Sequence, residues 1–338
     1  MKKLLVPVIA AVALYGCSNT DDNSVITNPD EKFLNGYFIT NEGNFGDGDA
    51  SISYLSSDLN TVTNDIFKTA NGKDLGDVAQ SLTIHGDYVF IIVNNSNTIE
   101  VVNKKTFKSV YTITEGLSTP YYATISNDKL YVTSLYNPTV SVYNVKTFAF
   151  IKTIELNFPA SNIVTANNYV YAANGFYSKG MSVEVIDPST DTNTVDIAFD
   201  NAINGITTNG QFVYALETNT TTSKISKIEG TKVSSSINIS EANARYLVAD
   251  GSNLYYTADN GIYKTSNTIT SGGTKLFDVK PAEDGFSVLY GFNVLNGNIF
   301  VSDVKGFKDI GTVTIYKENG TVTKEFKTGL GPNGFSKF

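Results

Sequence analysis

QSLTIHGDYVFIIVNNSNTIEVVNKKTFKSVYTI, residues 80–113, reads as four short strands in a row. Residues 80–84 form the first, His85-Gly86-Asp87 a turn, 88–93 the second and 98–102 the third. A turn through Thr106-Phe107 then leads to the fourth, 109–113. The runs are rich in Val, Ile, Tyr and Thr and are punctuated by Asn, Gly and Asp, the chemistry of strands and tight turns. The next stretch, YYATISNDKLYVTSLYNPTVSVYNVKTFAFIKTIEL (121–156), copies this plan segment by segment. Each strand can pair with the one after it, so the repeating unit is a four-stranded antiparallel meander with strands A to D.

The unit recurs along the chain. Apolar triplets that follow a turn occur at Tyr37-Phe38-Ile39, Tyr88-Val89-Phe90, Leu130-Tyr131-Val132, Tyr169-Val170-Tyr171, Phe212-Val213-Tyr214, Leu254-Tyr255-Tyr256 and Ile299-Phe300-Val301. Their first residues lie 51, 42, 39, 43, 42 and 45 positions apart. A strand-only repeat of this length predicts propeller blades. The last residues, GLGPNGFSKF (329–338), resemble GLSTPYYATIS (116–126), which runs into strand A. They stop where an A–B turn would begin, and the chain near residues 34–36 resumes at that turn. The C-terminus is therefore expected to supply strand A of the first blade and cover an otherwise open edge. The fold expected is an all-β, seven-bladed β-propeller of four-stranded antiparallel blades, closed by pairing the N- and C-terminal strands in one blade.

Composition agrees. Among 338 residues there are 20 Tyr, 20 Phe, 8 Pro and no Trp, and no helical periodicity of useful length lies outside the N-terminus. The net charge of −8 opposes nucleic-acid binding, which calls for basic patches. The single histidine, His85, falls on an A–B turn and reads as structural. One histidine and one cysteine provide neither a His-rich metal cluster nor a Ser-His-Asp triad. No cofactor is expected, and the leading reading is not an enzyme. Asp47-Gly48-Asp49 is part of a calcium-loop pattern, but the glutamate such a loop needs is missing.

Residues 1–16 carry Lys2 and Lys3, an apolar run from 4 to 14, and Leu14-Tyr15-Gly16 before Cys17. This resembles a lipoprotein signal peptide with its lipobox, and implies lipidation at Cys17 and attachment to the membrane through that lipid. Residues 17–32 are polar and acidic and read as a flexible tether, about 50 Å at full extension. Asp21-Asp22 is similar to the signal that sends lipoproteins of Bacteroidetes to the cell surface. The propeller is expected over 33–338.

The repeat, with its turn-aromatic-Val start and its V-x-V…T-F second half, resembles the YncE-like seven-bladed propellers. The opening NEGNFG (41–46), followed by SISYL (51–55), looks like a subset found as surface lipoproteins of Bacteroidetes. That resemblance implies outer-membrane lipoproteins that sit over TonB-dependent transporters and capture cobalamin, with relatives that capture metal chelates.

In such a meander the A–B and C–D turns share one face, and the B–C and D–A connections share the other. The first set is short and uniform, the second long and varied, so binding is expected on the B–C rim. Its candidates in the B–C loops are Asn41, Glu42, Asn44 and Phe45; Tyr136 and Asn137; Asn174, Phe176 and Tyr177; and Asp303 with Phe307. The D–A connections add Tyr121, Tyr122, Asn204, Arg245, Tyr246 and Tyr290. Together they suggest an aromatic, amide-rich bowl around the channel, suited to a large ligand such as cobalamin. Two alternatives stay open: a platform for another envelope protein or a glycan, and a cation-dependent hydrolase or lactonase. The second needs oxygens from Glu42, Glu217, Asp259 and Asp303 to converge at the channel mouth.

Overall fold

The computed structural model describes residues 31–173, 180–282 and 284–338. They form seven four-stranded antiparallel sheets. Blade 2, the reference unit, runs Ala79–His85, Tyr88–Val93, Thr98–Asn103 and Ser109–Ile113. The innermost strands of blades 3 to 7 are Pro120–Ser126, Asn162–Ala166, Ala202–Thr208, Arg245–Asp250 and Val288–Leu295. Blade 1 takes its innermost strand from the C-terminus: Pro332–Lys337 pairs with Gly36–Asn41, which pairs with Ser51–Ser56 and then Val62–Thr63. The innermost strands of neighbouring blades touch one another around the whole ring.

One side chain per blade explains how neighbouring sheets grip. The third residue of strand B, counted from its turn, is aromatic every time: Phe38, Phe90, Tyr131, Tyr171, Tyr214, Tyr255 and Phe300. All seven are fully buried, each against the B strand of the following blade, and Phe300 closes the circle against Tyr37 and Ile39. Within the apolar triplets the ring is the second residue in blades 1, 3, 6 and 7 and the third in blades 2, 4 and 5. The turn, not the first apolar residue, sets the register, because a one-residue shift sends a strand side chain to the opposite face.

Three of these rings also carry a hydroxyl to the next blade's C–D turn. Tyr131 donates to Asp191 (2.5 Å), Tyr171 to the Gly230 carbonyl (2.9 Å) and Tyr255 to Glu318 (2.6 Å). Lys129 and Lys264 reinforce the two carboxylate partners. The repeated Asn/Asp of the C–D turn has its own physical reason. Asn103 and Asn144 accept hydrogen bonds from the backbone two and three residues on, which leaves Phe107 and Phe148 in left-handed backbone.

The wide first spacing, 51 residues, holds a short helix, Ile66–Asn71, absent from the sequence reading. It buries Ile66 and Phe67 in the core between blades 1 and 2. Six residues are too few for a helical period to stand out against strand-like neighbours. The described chain enters at the opposite face. Lys32 and Phe33 donate to the Lys105 carbonyl on the C–D turn of blade 2, and the Phe33 ring wedges among Phe38, Tyr54 and Phe107.

Candidate functional site

Bulges at the start of strand A build the channel mouth on the B–C rim. In six of the seven blades the A–B pairing shifts register there; blade 4 alone runs regularly. The residues skipped by the ladder are Asn333 in blade 1, Gln80 in blade 2, Tyr121 and Tyr122 in blade 3, Asn204 in blade 5, Tyr246 with Leu247 in blade 6, and the 289–291 step with Tyr290 in blade 7. A bulge bends its strand and re-aims a side chain that regular pairing would bury between sheets.

Glu42 is the hub of these residues. Its Oε2 accepts from the Tyr290 hydroxyl (2.9 Å) and its Oε1 from the Asn333 amide (2.7 Å). Asn333 also donates to the Gln80 carbonyl (2.9 Å), and the Tyr246 hydroxyl donates to the Tyr290 carbonyl (2.6 Å). The Tyr122 hydroxyl meets Gln80, and the Tyr121 and Tyr122 rings stand edge to face at 5.1 Å. Tyr122, from blade 3, feels the charge of Glu42 across the channel. Phe307 packs edge to face on Tyr290 at 5.2 Å; a Cβ on Gly331, whose φ is +66°, would lie 2.6 Å from the Phe307 ring. The mouth is therefore a knit stopper of half-buried rings rather than the open bowl expected.

Burial dominates the electrostatics here. It raises the Glu42 pKa, opposed by the hydrogen bonds from Tyr290 and Asn333. Burial also pushes the Tyr122 hydroxyl up to about 12, and raises Tyr246 and Tyr290. At neutral pH these tyrosines are uncharged, around an acid whose charge is disfavoured.

Around the stopper, the rim exposes apolar side chains. Phe45 is 78% exposed, Tyr136 66% and Phe286 54%, with Phe158, Met181 and Ile310 also exposed. The Phe45 loop is tied down by hydrogen bonds within itself and to the next blade. Asp49 accepts from the Asn44 N–H (2.7 Å), Asp77 accepts from the Gly46 N–H (3.0 Å), and Ala50 donates to the Gly76 carbonyl (3.1 Å). The glycine- and acid-rich stretch thus acts as a bracket, clamped to the next blade, that displays one ring.

Other expected members stand elsewhere. Asn41 is fully buried and turns into its own sheet, donating to Ser51 and Ser53; as the last residue of a strand it points between blades rather than at the rim. Asp303 is spent on its own loop, accepting from the Lys305 N–H and pairing with the Lys305 ammonium. Asn137 braces its turn through Ser118 and Ser134. Arg245 is exposed, its guanidinium 5.3 Å from the Tyr246 ring centre. Asn174, Phe176, Tyr177 and Cys17 lie outside the described residues.

No three of the four carboxylates of the hydrolase reading gather at one point. Glu217 is bound by Lys224 and by the backbone of Asp200 and Asn201, while Glu42 and Asp303 have the partners given above. Among the described residues no three His, Cys, Asp or Glu side chains gather as a metal site requires. A cavity of about 850 Å³ opens at the other end of the channel, lined by Thr83, Thr124, Thr165, Ser126 and His85 among others. His85, on its A–B turn, borders this cavity, 3.9 Å from Asp128.

A family profile matches residues 35–327. The chain belongs to the family described as Domain of unknown function (DUF5074). No curated protein matches the chain. Solved structures share the fold at low identity. A quinoprotein alcohol dehydrogenase-like protein from Bacteroides thetaiotaomicron has a TM-score of 0.69 at 16% identity, covering 89% of this chain and 78% of that one. A protein of unknown function from Desulfotomaculum acetoxidans has a TM-score of 0.67 at 14% identity, covering 90% and 99%. A putative 6-phosphogluconolactonase from Bacteroides fragilis has a TM-score of 0.64 at 10% identity, covering 90% and 98%. These likenesses concern the propeller fold.

Proposed function

We propose that this chain is a non-enzymatic binding protein: a lipoprotein, YncE-like in its repeat, anchored through Cys17 at the surface of the outer membrane. Its B–C rim would hold a large nutrient ligand, cobalamin or a metal chelate, for handover to a TonB-dependent transporter. The observation that carries the reading is the gathering of Glu42, Tyr121, Tyr122, Tyr246, Tyr290 and Phe307 at one channel mouth, beneath the projecting Phe45 and Tyr136. Rings and amides in a preorganised setting suit a bulky ligand with apolar faces and many hydrogen-bonding groups. The described chain begins on the opposite face, where the backbone of Lys32 and Phe33 meets the Lys105 carbonyl.

The test is calorimetric titration of the purified full-length chain in detergent with cobalamin, a ferric catecholate chelate and haem. Saturable one-to-one binding of one of them, weakened by Phe45→Ala or Tyr122→Ala, is the expected result. No heat with any of the three sinks the capture role. A second reading, a docking platform for another envelope protein, is favoured by the exposed Phe45, Tyr136, Phe158, Met181, Phe286 and Ile310 on that rim. It expects a specific outer-membrane protein to co-purify with the wild type and to be lost in a Phe45→Asp, Phe286→Asp double variant.

A further inference from the structure

We propose that Glu42 and the tyrosines around it form a cage for an organic cation, the alkylammonium group of a ligand seated at the channel mouth. This rests on the binding role proposed above and narrows it to a charge class.

The first observation is a missing counter-ion. Glu42 is half-buried, and three buried acids elsewhere have a lysine: Glu100 pairs with Lys73 at 2.9 Å, Asp191 with Lys129 at 2.6 Å and Glu217 with Lys224 at 2.7 Å, while a fourth, Glu184, accepts from the backbone N–H groups of Asn157 and Phe158. Among the described residues no ion pair includes Glu42. Its partners are neutral donors, a phenol and an amide. A carboxylate removed from water without a cation is costly to keep ionised, and an arriving cation removes that cost.

The second observation is what surrounds it. Tyr290 from blade 7, Tyr246 from blade 6 and Tyr122 from blade 3 bring half-buried rings to the same mouth. The face of an aromatic ring carries negative potential, and several rings with one carboxylate match a bulky, weakly hydrated ammonium better than they match an anion. Tyr246 already uses this attraction, with the exposed Arg245 guanidinium 5.3 Å from its ring centre. The other group bonded to Glu42, the Asn333 amide, is uncharged. Burial raises the Glu42 pKa, so a cation that binds the ionised form displaces a proton, and affinity grows with pH until Glu42 is fully ionised.

Choline and its neutral isostere 3,3-dimethyl-1-butanol test the cage, titrated into the full-length protein in detergent at constant ionic strength. Choline is expected to bind saturably, with the alcohol at least about tenfold weaker. Glu42→Gln, which keeps the shape and an amide oxygen as acceptor, is expected to lose choline affinity by about the same factor. The isostere comparison needs no variant and stands even if Glu42→Gln folds poorly. Equal binding of choline and the alcohol, or no choline binding, overturns the cage. If choline fails while cobalamin binds, the cage falls and the capture role stands; if every ligand fails, both fall.

Discussion

The two ends of the channel are made from one repeat and have been used differently. At the A–B end the blades stitch to each other by recurring polar contacts. Thr83 donates to the Ala123 carbonyl, Thr124 and Thr165 share a hydrogen bond, and the Ala249 N–H donates to Thr207. On the same face the strand-B tyrosines reach the C–D turns of the next blade. At the B–C end the innermost strands are interrupted by bulges, which present tyrosines in blades 3, 6 and 7 and amides in blades 1, 2 and 5. Repetition is enforced where blades must recognise one another, and it lapses where they face a common opening. Side chains at the first end are held by bonds from each blade to the next, those at the second by a network centred on Glu42.

Substitutions should separate the two ends by their cost, and the largest effect belongs to the shared grip between blades. Phe300→Ala empties the contact that closes the ring and should destabilise by about 3–5 kcal/mol in chemical denaturation. A value near that of a surface site would mean that closure depends on strand pairing alone. Tyr255→Phe keeps the ring but strips the bond to Glu318 at the A–B end, with an expected cost of about 1–3 kcal/mol; no loss would reduce the latch to packing.

Acidity should divide the ends by sign. Glu318 is held below the ordinary carboxylate range by Lys264 first and Tyr255 second. Its contribution is present above that range and fades as pH falls through its lowered pKa. Glu42 is raised by burial, so its contribution is complete below the ordinary range and fades as pH rises through its raised pKa. Glu42→Gln should therefore flatten the loss of thermal stability on the alkaline side of that range and leave the acid side unchanged. Lys264→Met should do the reverse. The smallest effect on stability is expected for Phe45→Ala, within about 0.5 kcal/mol, since the ring projects into solvent. The same change should weaken ligand binding, and that combination marks a rim residue.

Much of this was readable in the chain. The seven triplets and the likeness of residues 329–338 to 116–126 were enough to foresee seven blades and the donated strand Pro332–Lys337. The mouth was half legible. Tyr121, Tyr122, Tyr246 and Tyr290 were named because aromatics beside turns stand out, and Glu42 because it opens a long loop. Gln80 and Asn333 were missed. A polar residue at the head of a strand looks like any turn residue, and a bulge leaves no periodic mark when one residue is simply skipped. A clue existed for Asn333, since the alignment that predicted closure sets it opposite Tyr121. Asn41 was misplaced for a related reason: one residue decides whether a strand's end points to the rim or between sheets.

The donated strand also sets an order of events. The inner edge of blade 1 stays open through synthesis of every other blade, because its partner is the segment made after all of them. Until then Gly36–Asn41 offers an unpaired edge, and Glu42 lacks Asn333. The mouth therefore cannot assemble piecemeal. It comes into being in the same step that seals the ring, so a chain cut short of that strand would be both prone to sticking edge to edge and unable to bind.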